Sequence, residues 1–493
     1  MKKYNLWATV IVIVALHGDY PAFAQEANEI SAEMKIKALE EKLNNLEHKQ
    51  KLLEQQLEAK KRAAVAEVNS VQTEKLNELE QRQKVVERQL EIEREAAAEK
   101  AKAAPIVTAN AREGFSIKNP DDSFKLRLRG YVQADSRSVS GNEGSTSTND
   151  DTFLLRRVRP IFEGTVFKDV DFRIMPDFGS GKTELQDAWF DFKYFPEARL
   201  QVGKFKTPFG IERLQSGTDT LFIERGLPNN LVPNRDIGAA LHSDLFGGKF
   251  SYALGIFNGV ADGASLDSDV DNNKEFAGRI FVNPWKGGDN PILDGLGVGF
   301  AATLGNKDGT SSSTYLASYK TPGQQTFYSY RSGVFADGQA LRYSPQAYYS
   351  YGSFGLLTEY VTSSQEVTLG ANSDKLTNTG WQVAASYVLT GEAASYKSVI
   401  PKEVFNPATG TWGAFEVVGR YGQLDVDEDA FPIYVNSATS AKSATAAGGG
   451  LNWYWNRNVK WMLDYERTTF DGGDGGQNRA TENAVLARVQ VTF

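Results

Sequence analysis

The sequence predicts an all-β transmembrane barrel of about 16 antiparallel strands, preceded by an α-helical coiled coil. Three observations predict it. The stretch from Phe124 to Asp135 alternates Phe124, Leu126, Leu128 and Val132 against Lys125, Arg127, Arg129 and Gln133, and residues two apart in a strand share a face. Similar segments recur to the end of the chain, joined alternately by tight turns such as Gly352-Ser353 and long polar loops such as Ser138 to Asp151. The last segment places Val485, Ala487, Val489, Val491 and Phe493 on one face, and a terminal aromatic there resembles the signal by which the barrel-assembly machinery recognises its substrates.

Taken in order, the chain opens as a secretory signal, residues 1–24. Lys2 and Lys3 precede an apolar run from Leu6 to Leu16, and Ala22-Phe23-Ala24 precedes Gln25, so cleavage is expected between Ala24 and Gln25. Beyond it lies no apolar run of the ~18 residues that a spanning helix needs. Residues 25–104 carry the coiled coil, free of Gly and Pro from Ser31 onward. Ile36, Leu39, Leu43, Leu46, Leu53 and Leu57 keep a three-four spacing, which Leu76, Leu79, Val86 and Leu90 resume in a shifted frame. Gln50 and Gln83 fall on the seam, and the shift between Ala64 and Leu76 predicts a stutter in one long rod. Pro105 ends the helix, and 105–123 reads as a linker.

The barrel fills 124–493. Strands are predicted at 124–136, 153–167, 171–179, 184–194, 198–207, 236–246, 249–258, 275–283, 295–305, 339–351, 353–366, 379–390, 413–424, 445–455, 459–470 and 482–493. An even count with a final strand at the C-terminus puts both barrel ends in the periplasm, and the coiled coil with them. Trp453, Tyr454, Trp455 and Trp461, near strand ends, fit an interfacial girdle in outer-membrane lipid.

A lipid-facing Lys or Arg at the bilayer midplane costs ~2–4 kcal/mol, so the cationic faces should turn to the lumen. Alternation then assigns Lys125, Arg127, Arg129, Arg157, Arg159, Arg173, Arg279, Arg342, Arg420 and Arg488 to a pore-lining basic track. Columns of Arg and Lys favour anions, and the planar guanidinium fork suits phosphate. The competing reading is that lumen carboxylates, among them Asp135, Glu163, Asp177, Asp187, Asp191, Glu416, Asp464 and Glu466, pair with these arginines and merely pack the wall.

Other chemistries find little support. A net charge of −8 argues against nucleic acid, and a chain without cysteine has no thiolate metal site. Of three histidines, His17 lies in the signal, His48 in the coiled coil and His242 alone in the barrel, so no enzyme is expected. Asp267, Asp269 and Asp271 imitate a calcium loop, but Asn272 and Gly278 stand where Gly and Glu are required. The Gly-rich runs DGGDGGQN and AAGGGLN lack the Lys-Ser/Thr of a phosphate-cradling loop, and no cofactor is expected.

The segments FLLRRVRPIFEGTVF, GKFKTPFGIERLQSGTDTLFIERG and GLNWYWNRNVKWMLDYERTTF closely resemble the phosphate-selective porins O and P, over the whole of 124–493 and most specifically from Gln201 to Gly238. The resemblance implies a homotrimer of sixteen-stranded barrels, a third loop folded into the lumen, and passive uptake of small anions, phosphate or related oxyanions. Several members of that family also carry an N-terminal coiled coil. The resemblance makes Arg213, Arg225 and Arg235 the candidates for anion contact at the constriction, with Arg331 added from a fifth loop near Tyr328 to Arg331. The most phosphate-specific members place lysine in the third loop. Here none occurs between Lys206 and Lys249, and Glu212, Asp219 and Glu224 stand beside the arginines, so a broader anion channel stays open. A general sugar or cation porin and a structural tether to the cell wall are the alternatives.

Overall fold

A computed structural model describes residues 41–61, 70–111, 114–141, 151–269 and 271–493, in two units, Met1–Ala109 and Asn110–Phe493. The expected cleavage point at Ala24 and Gln25 lies outside the described residues.

In the first unit, residues 41–61 are helical and a second helix covers Ser70–Ala103. They lie antiparallel, because Glu47 meets Arg94, Gln50 meets Glu87, Glu54 meets Gln83 and Lys61 meets Glu80. The two described helices thus lie side by side, and the stutter expected between Ala64 and Leu76 falls in part on residues 62–69, outside the described residues. Leu57 and Leu90 are the buried leucines of the pair, while Gln50 and Gln83 hydrogen-bond to glutamates of the facing helix.

The second unit is a closed barrel of sixteen antiparallel strands. They are β1 Lys125–Ser140, β2 Asp151–Val166, β3 Val170–Asp177, β4 Glu184–Phe192, β5 Arg199–Lys206 and β6 Arg235–Leu245. Next come β7 Phe250–Phe257, β8 Glu275–Val282, β9 Gly297–Asp308, β10 Phe335–Tyr351 and β11 Phe354–Leu369. The last five are β12 Asn372–Val388, β13 Ala414–Asp425, β14 Ala441–Tyr454, β15 Val459–Asp474 and β16 Glu482–Thr492. Each pairs with its neighbours in sequence, and β16 pairs with β1 to close the ring, Arg488 opposite Asp135. The linker is not wholly irregular: it holds strands Ile106–Asn110 and Gly114–Lys118, and the latter pairs with β1 through Phe115 and Leu128.

All sixteen predicted strands exist. Several run further at the long-loop end, as in β12, which begins seven residues before the predicted Thr379. There Asn372, Ser373, Asp374 and Lys375 are exposed, so the ladder continues past the point where lipid enforces apolar alternation. The strands on one side are short: β3, β5, β7 and β8 have 8 residues each and β4 has 9, against 16 or 17 in β1, β2, β10, β11 and β12.

Leu126, Leu128, Leu200, Leu241, Leu254, Phe276 and Leu463 are exposed on the outer face, where a bilayer would cover them. At one rim Phe415, Trp453 and Trp461 share that outward phase and join Phe405, Trp412 and Trp455 in a web of ring contacts. Tyr454, expected in the same girdle, is not part of it: one residue on from Trp453 it points inward, buried, and its hydroxyl donates to Glu416 at 2.7 Å. Part of the lumen is filled by an apolar core. Phe209, Leu227, Leu231 and Val232 of the third loop (residues 207–234) pack with Tyr319, Phe327 and Tyr328 of the fifth (309–334) and Tyr434 and Val435 of the seventh (426–440). The wall contributes Val361, Leu376, Leu424 and Phe470 to this core.

Candidate functional site

The third loop leaves β5 at Thr207-Pro208, where proline ends the ladder, and returns into β6 at Arg235. Its apolar face is glued to the apolar core, and its backbone is pinned by wall side chains. Gln133 donates to the carbonyl of Gly217 at 2.8 Å, Lys460 to Thr220 at 3.0 Å, Asn452 to Leu221 at 3.0 Å and Arg420 to Glu224 at 3.0 Å. In the other sense, the N–H of Ile211 donates to Glu359 at 3.0 Å and that of Ile223 to Asp464 at 2.6 Å. From the opposite rim, the turn between β12 and β13 reaches the same loop, with Ser398 donating to Asp219 at 2.9 Å and the carbonyl of Tyr396 accepting from Gln215 at 2.9 Å.

Between this loop and the wall of β2 to β6 lies a cavity of about 500 Å³. Its lining includes Arg156, Arg157, Arg159, Lys206, Arg213, Arg225 and Arg235, with Lys182 and Lys320, and the acidic Asp177, Glu184, Glu224 and Asp262. Arg213, Arg225 and Arg235 are thus brought together as a group. Arg331 is not among the lining residues: it is exposed on the fifth loop, its backbone N–H held by the Tyr434 carbonyl.

The basic track divides by position. Arg488 is fully buried in a bidentate pair with Asp135, Arg420 pairs with Glu466, and Arg342 with Asp262 and Glu275. All three are buried in the wall, and two of them also hold loops, Arg420 through the Glu224 carbonyl at 3.0 Å and Arg342 through that of Val260 at 2.8 Å. Arg157 and Arg159 line the cavity. Arg127, Arg129 and Arg173 converge on the carboxylate of Glu163 at 2.7–2.9 Å, each about one-third exposed, and Arg173 also reaches Asp187 at 3.7 Å, which Arg235 shares, so four cations on two carboxylates leave a net positive cluster toward the short-turn end. Lys125 is half-buried at the start of β1, and Arg279 lies over the Phe281 ring at 4.7 Å and donates to Gln346 at 3.0 Å.

Apart from Lys182 and Lys320, the cations around the cavity are of two kinds. Arg159 pairs with Asp177, Arg235 with Asp187, and Arg156 with Glu224. Four others hydrogen-bond to neutral acceptors. Arg157 donates to the Gln133 amide at 2.7 Å, Lys206 to the Gln215 carbonyl at 2.7 Å and Arg213 to the Asn229 carbonyl at 3.0 Å. Arg225 donates to the carbonyls of Glu212 and Gln215 at 3.1 and 3.0 Å. Among the described residues, no ion pair within 4.0 Å involves these four. Burial, then the charges of Arg225 and Arg235, push the pKa of Arg213 well below its ordinary value. A guanidinium starts so high that it stays charged at neutral pH, so the cluster holds crowded like charge that an anion would relieve.

Alternation would have set Lys206 with Leu200 and Val202 on the lipid face. The strand ends there and the chain turns inward, carrying the ammonium into the lumen.

Glu224 accepts from Arg137 at 2.7 Å and Arg156 at 2.6 Å. Burial pushes its carboxyl up, but Arg156 and Arg137 overcome this and hold it well below the usual carboxylate range. The clamp is therefore present at neutral pH and lost only as pH falls through that lowered value. Glu224→Gln removes the counter-charge of two guanidiniums without acid, and the anion-to-cation permeability ratio, read as reversal potential, is expected to rise about two- to threefold.

The family described as "Phosphate-selective porin O and P" matches residues 124–493. No curated protein matches the chain in sequence. Among solved structures, the chain is similar to the outer membrane channel DcaP of Acinetobacter baumannii, at 10% identity and a TM-score of 0.49 over 76% of this chain and 99% of that one. It is similar to an anion-selective porin from Comamonas acidovorans, at 10% identity and a TM-score of 0.46 over 75% and 99% of the two chains. The trimer form of OmpT from Vibrio cholerae gives 11% identity and a TM-score of 0.45 over 76% and 100%.

Proposed function

The chain belongs to the phosphate-selective porin O and P family, and from that premise we propose that it passes small oxyanions, phosphate or its relatives, across the outer membrane by diffusion. One observation carries the reading: Arg157, Lys206, Arg213 and Arg225 line the cavity, and the hydrogen bonds that hold them go to neutral acceptors, one or two of the donors each carries. Charge held in place yet left without a carboxylate is what an anion pore needs at its narrowest point. Phosphate fits because the guanidinium fork matches its oxygens and the crowded cations gain from a divalent partner. The net positive cluster around Glu163 extends the path toward the short-turn end.

On this reading three copies assemble in outer-membrane lipid, with Phe493 serving the assembly machinery and the helical unit standing in the periplasm. The buried ion pairs of Arg342, Arg420 and Arg488 favour a second reading, a general porin whose wall charge is largely neutralised. Reversal potential of the purified protein in a planar bilayer under a KCl gradient, followed by added phosphate, separates the two. Anion selectivity with phosphate block is the expected result; weak or cation selectivity would favour the general porin.

A further inference from the structure

The Gly448-Gly449-Gly450 run lies in mid-β14, where three successive glycines weaken a strand. Their partners on β15 explain two of them. Gly448 stands opposite Glu466 and Gly450 opposite Asp464, both pairs facing the lumen. A Cβ at Gly448 would lie 2.2 Å from Glu466 Oε2, and one at Gly450 would lie 2.3 Å from Asp464 Oδ1 and 2.9 Å from the Leu463 carbonyl oxygen, so Asp464→Ala is the variant that isolates the carboxylate. Gly449 faces the other way and has room, with the nearest atom, the Val418 carbonyl, at 3.8 Å.

The two carboxylates are divided in the same manner. Asp464 Oδ2 accepts the Ile223 N–H at 2.6 Å, and Glu466 Oε1 accepts from Arg420, which donates to the Glu224 carbonyl and lies over the Phe222 ring at 4.2 Å. The remaining oxygens, Asp464 Oδ1 and Glu466 Oε2, are buried without a hydrogen-bond partner and occupy the two glycine notches. A buried orphan acceptor costs stability, and the wall would be sounder with apolar residues here. The arrangement gains only what it does to residues 222–224, directly beside Arg225.

We propose that Gly448 and Gly450 are a seat for the inward loop, and that Asp464 and Glu466 are positioning residues which fix Glu224 and Arg225 in the constriction. The inference rests on the pore reading above, since it assigns these residues the task of holding that pore's narrowest point. Adding a Cβ at 448 or 450 displaces a carboxylate and frees the loop segment; adding one at 449 displaces nothing.

The test uses the full-length protein in planar bilayers, each variant first shown to be a folded barrel by its heat-modifiable gel mobility. Gly450→Ala, Gly448→Ala and Asp464→Ala are expected to raise single-channel conductance and open-channel noise about twofold, and to weaken phosphate block about fivefold. Gly449→Ala is expected to match the wild type. Where an alanine at 448 or 450 prevents folding, Asp464→Ala, which adds no bulk, carries the test. Folded variants with wild-type conductance, noise and block would overturn the proposal, and so would a Gly449→Ala variant as disturbed as Gly450→Ala, since the glycines would then serve the strand itself. A wild type without anion preference would sink the pore reading alone, because conductance and noise report the loop's position whichever ion is favoured.

Discussion

Arg225→Ala is expected to weaken phosphate block of the open channel by about ten- to a hundredfold, the equivalent of one charge-assisted hydrogen bond at ~1.5–3 kcal/mol. Two of the guanidinium's hydrogen bonds hold it to the carbonyls of Glu212 and Gln215, which fixes its direction without consuming its charge. Truncation leaves no buried carboxylate unpaired, so the barrel should fold as before and the loss should be confined to selectivity and block. Arg213→Ala should act in the same direction, and the double variant should lose less than the sum. Removing either cation relieves the crowding felt by the other. Titrating phosphate against single-channel current in the two single variants and the double checks all three statements.

Arg488→Ala should do the reverse, damaging the fold far more than the permeation. Its guanidinium makes two hydrogen bonds of 2.7 Å to Asp135 across the junction of β16 and β1, and both side chains are fully buried. Truncation strands the Asp135 carboxylate, a loss of ~3–5 kcal/mol for a broken buried pair. A large fall in the urea midpoint of the barrel in lipid vesicles is the expected result. Replacing both partners with apolar residues, Asp135→Leu with Arg488→Met, should restore most of it, because the pair's own net contribution is small once neither charge is left alone. A double variant no better than Arg488→Ala would show that the junction needs the ions themselves.

These two arginines illustrate what was legible beforehand. Both follow from strand alternation or from the family's third loop, and alternation locates every strand because lipid on one face and water on the other enforce a period of two. Whether an arginine guides anions or packs a wall depends on which carboxylate lies within reach. Asp135 is 353 residues from Arg488 in sequence, and no local pattern brings them together. Lys206 was hidden for a related reason, since its inward direction comes from the chain's turn at the strand end. The apolar core of the third, fifth and seventh loops left no periodic trace, for its loop residues lie in elements of two to five residues and the irregular segments between them, too short to show a period. In the helical unit the heptads were plain, but a seam alone is equally compatible with a rod and with a chain folded back.

The short strands β3 to β5, β7 and β8 have a consequence for the membrane itself. Eight residues at ~3.4 Å rise, tilted by ~40°, span only about 20 Å along the bilayer normal, less than the ~25 Å apolar band of an outer-membrane barrel. Opposite β10 to β12, with 16 or 17 residues each, no such shortfall exists. The barrel wall is therefore tall on one flank and low on the other. Lipid acyl chains beside the low flank must compress or yield their place to another polypeptide, so the local thickness of the bilayer is set differently on the two sides of one molecule.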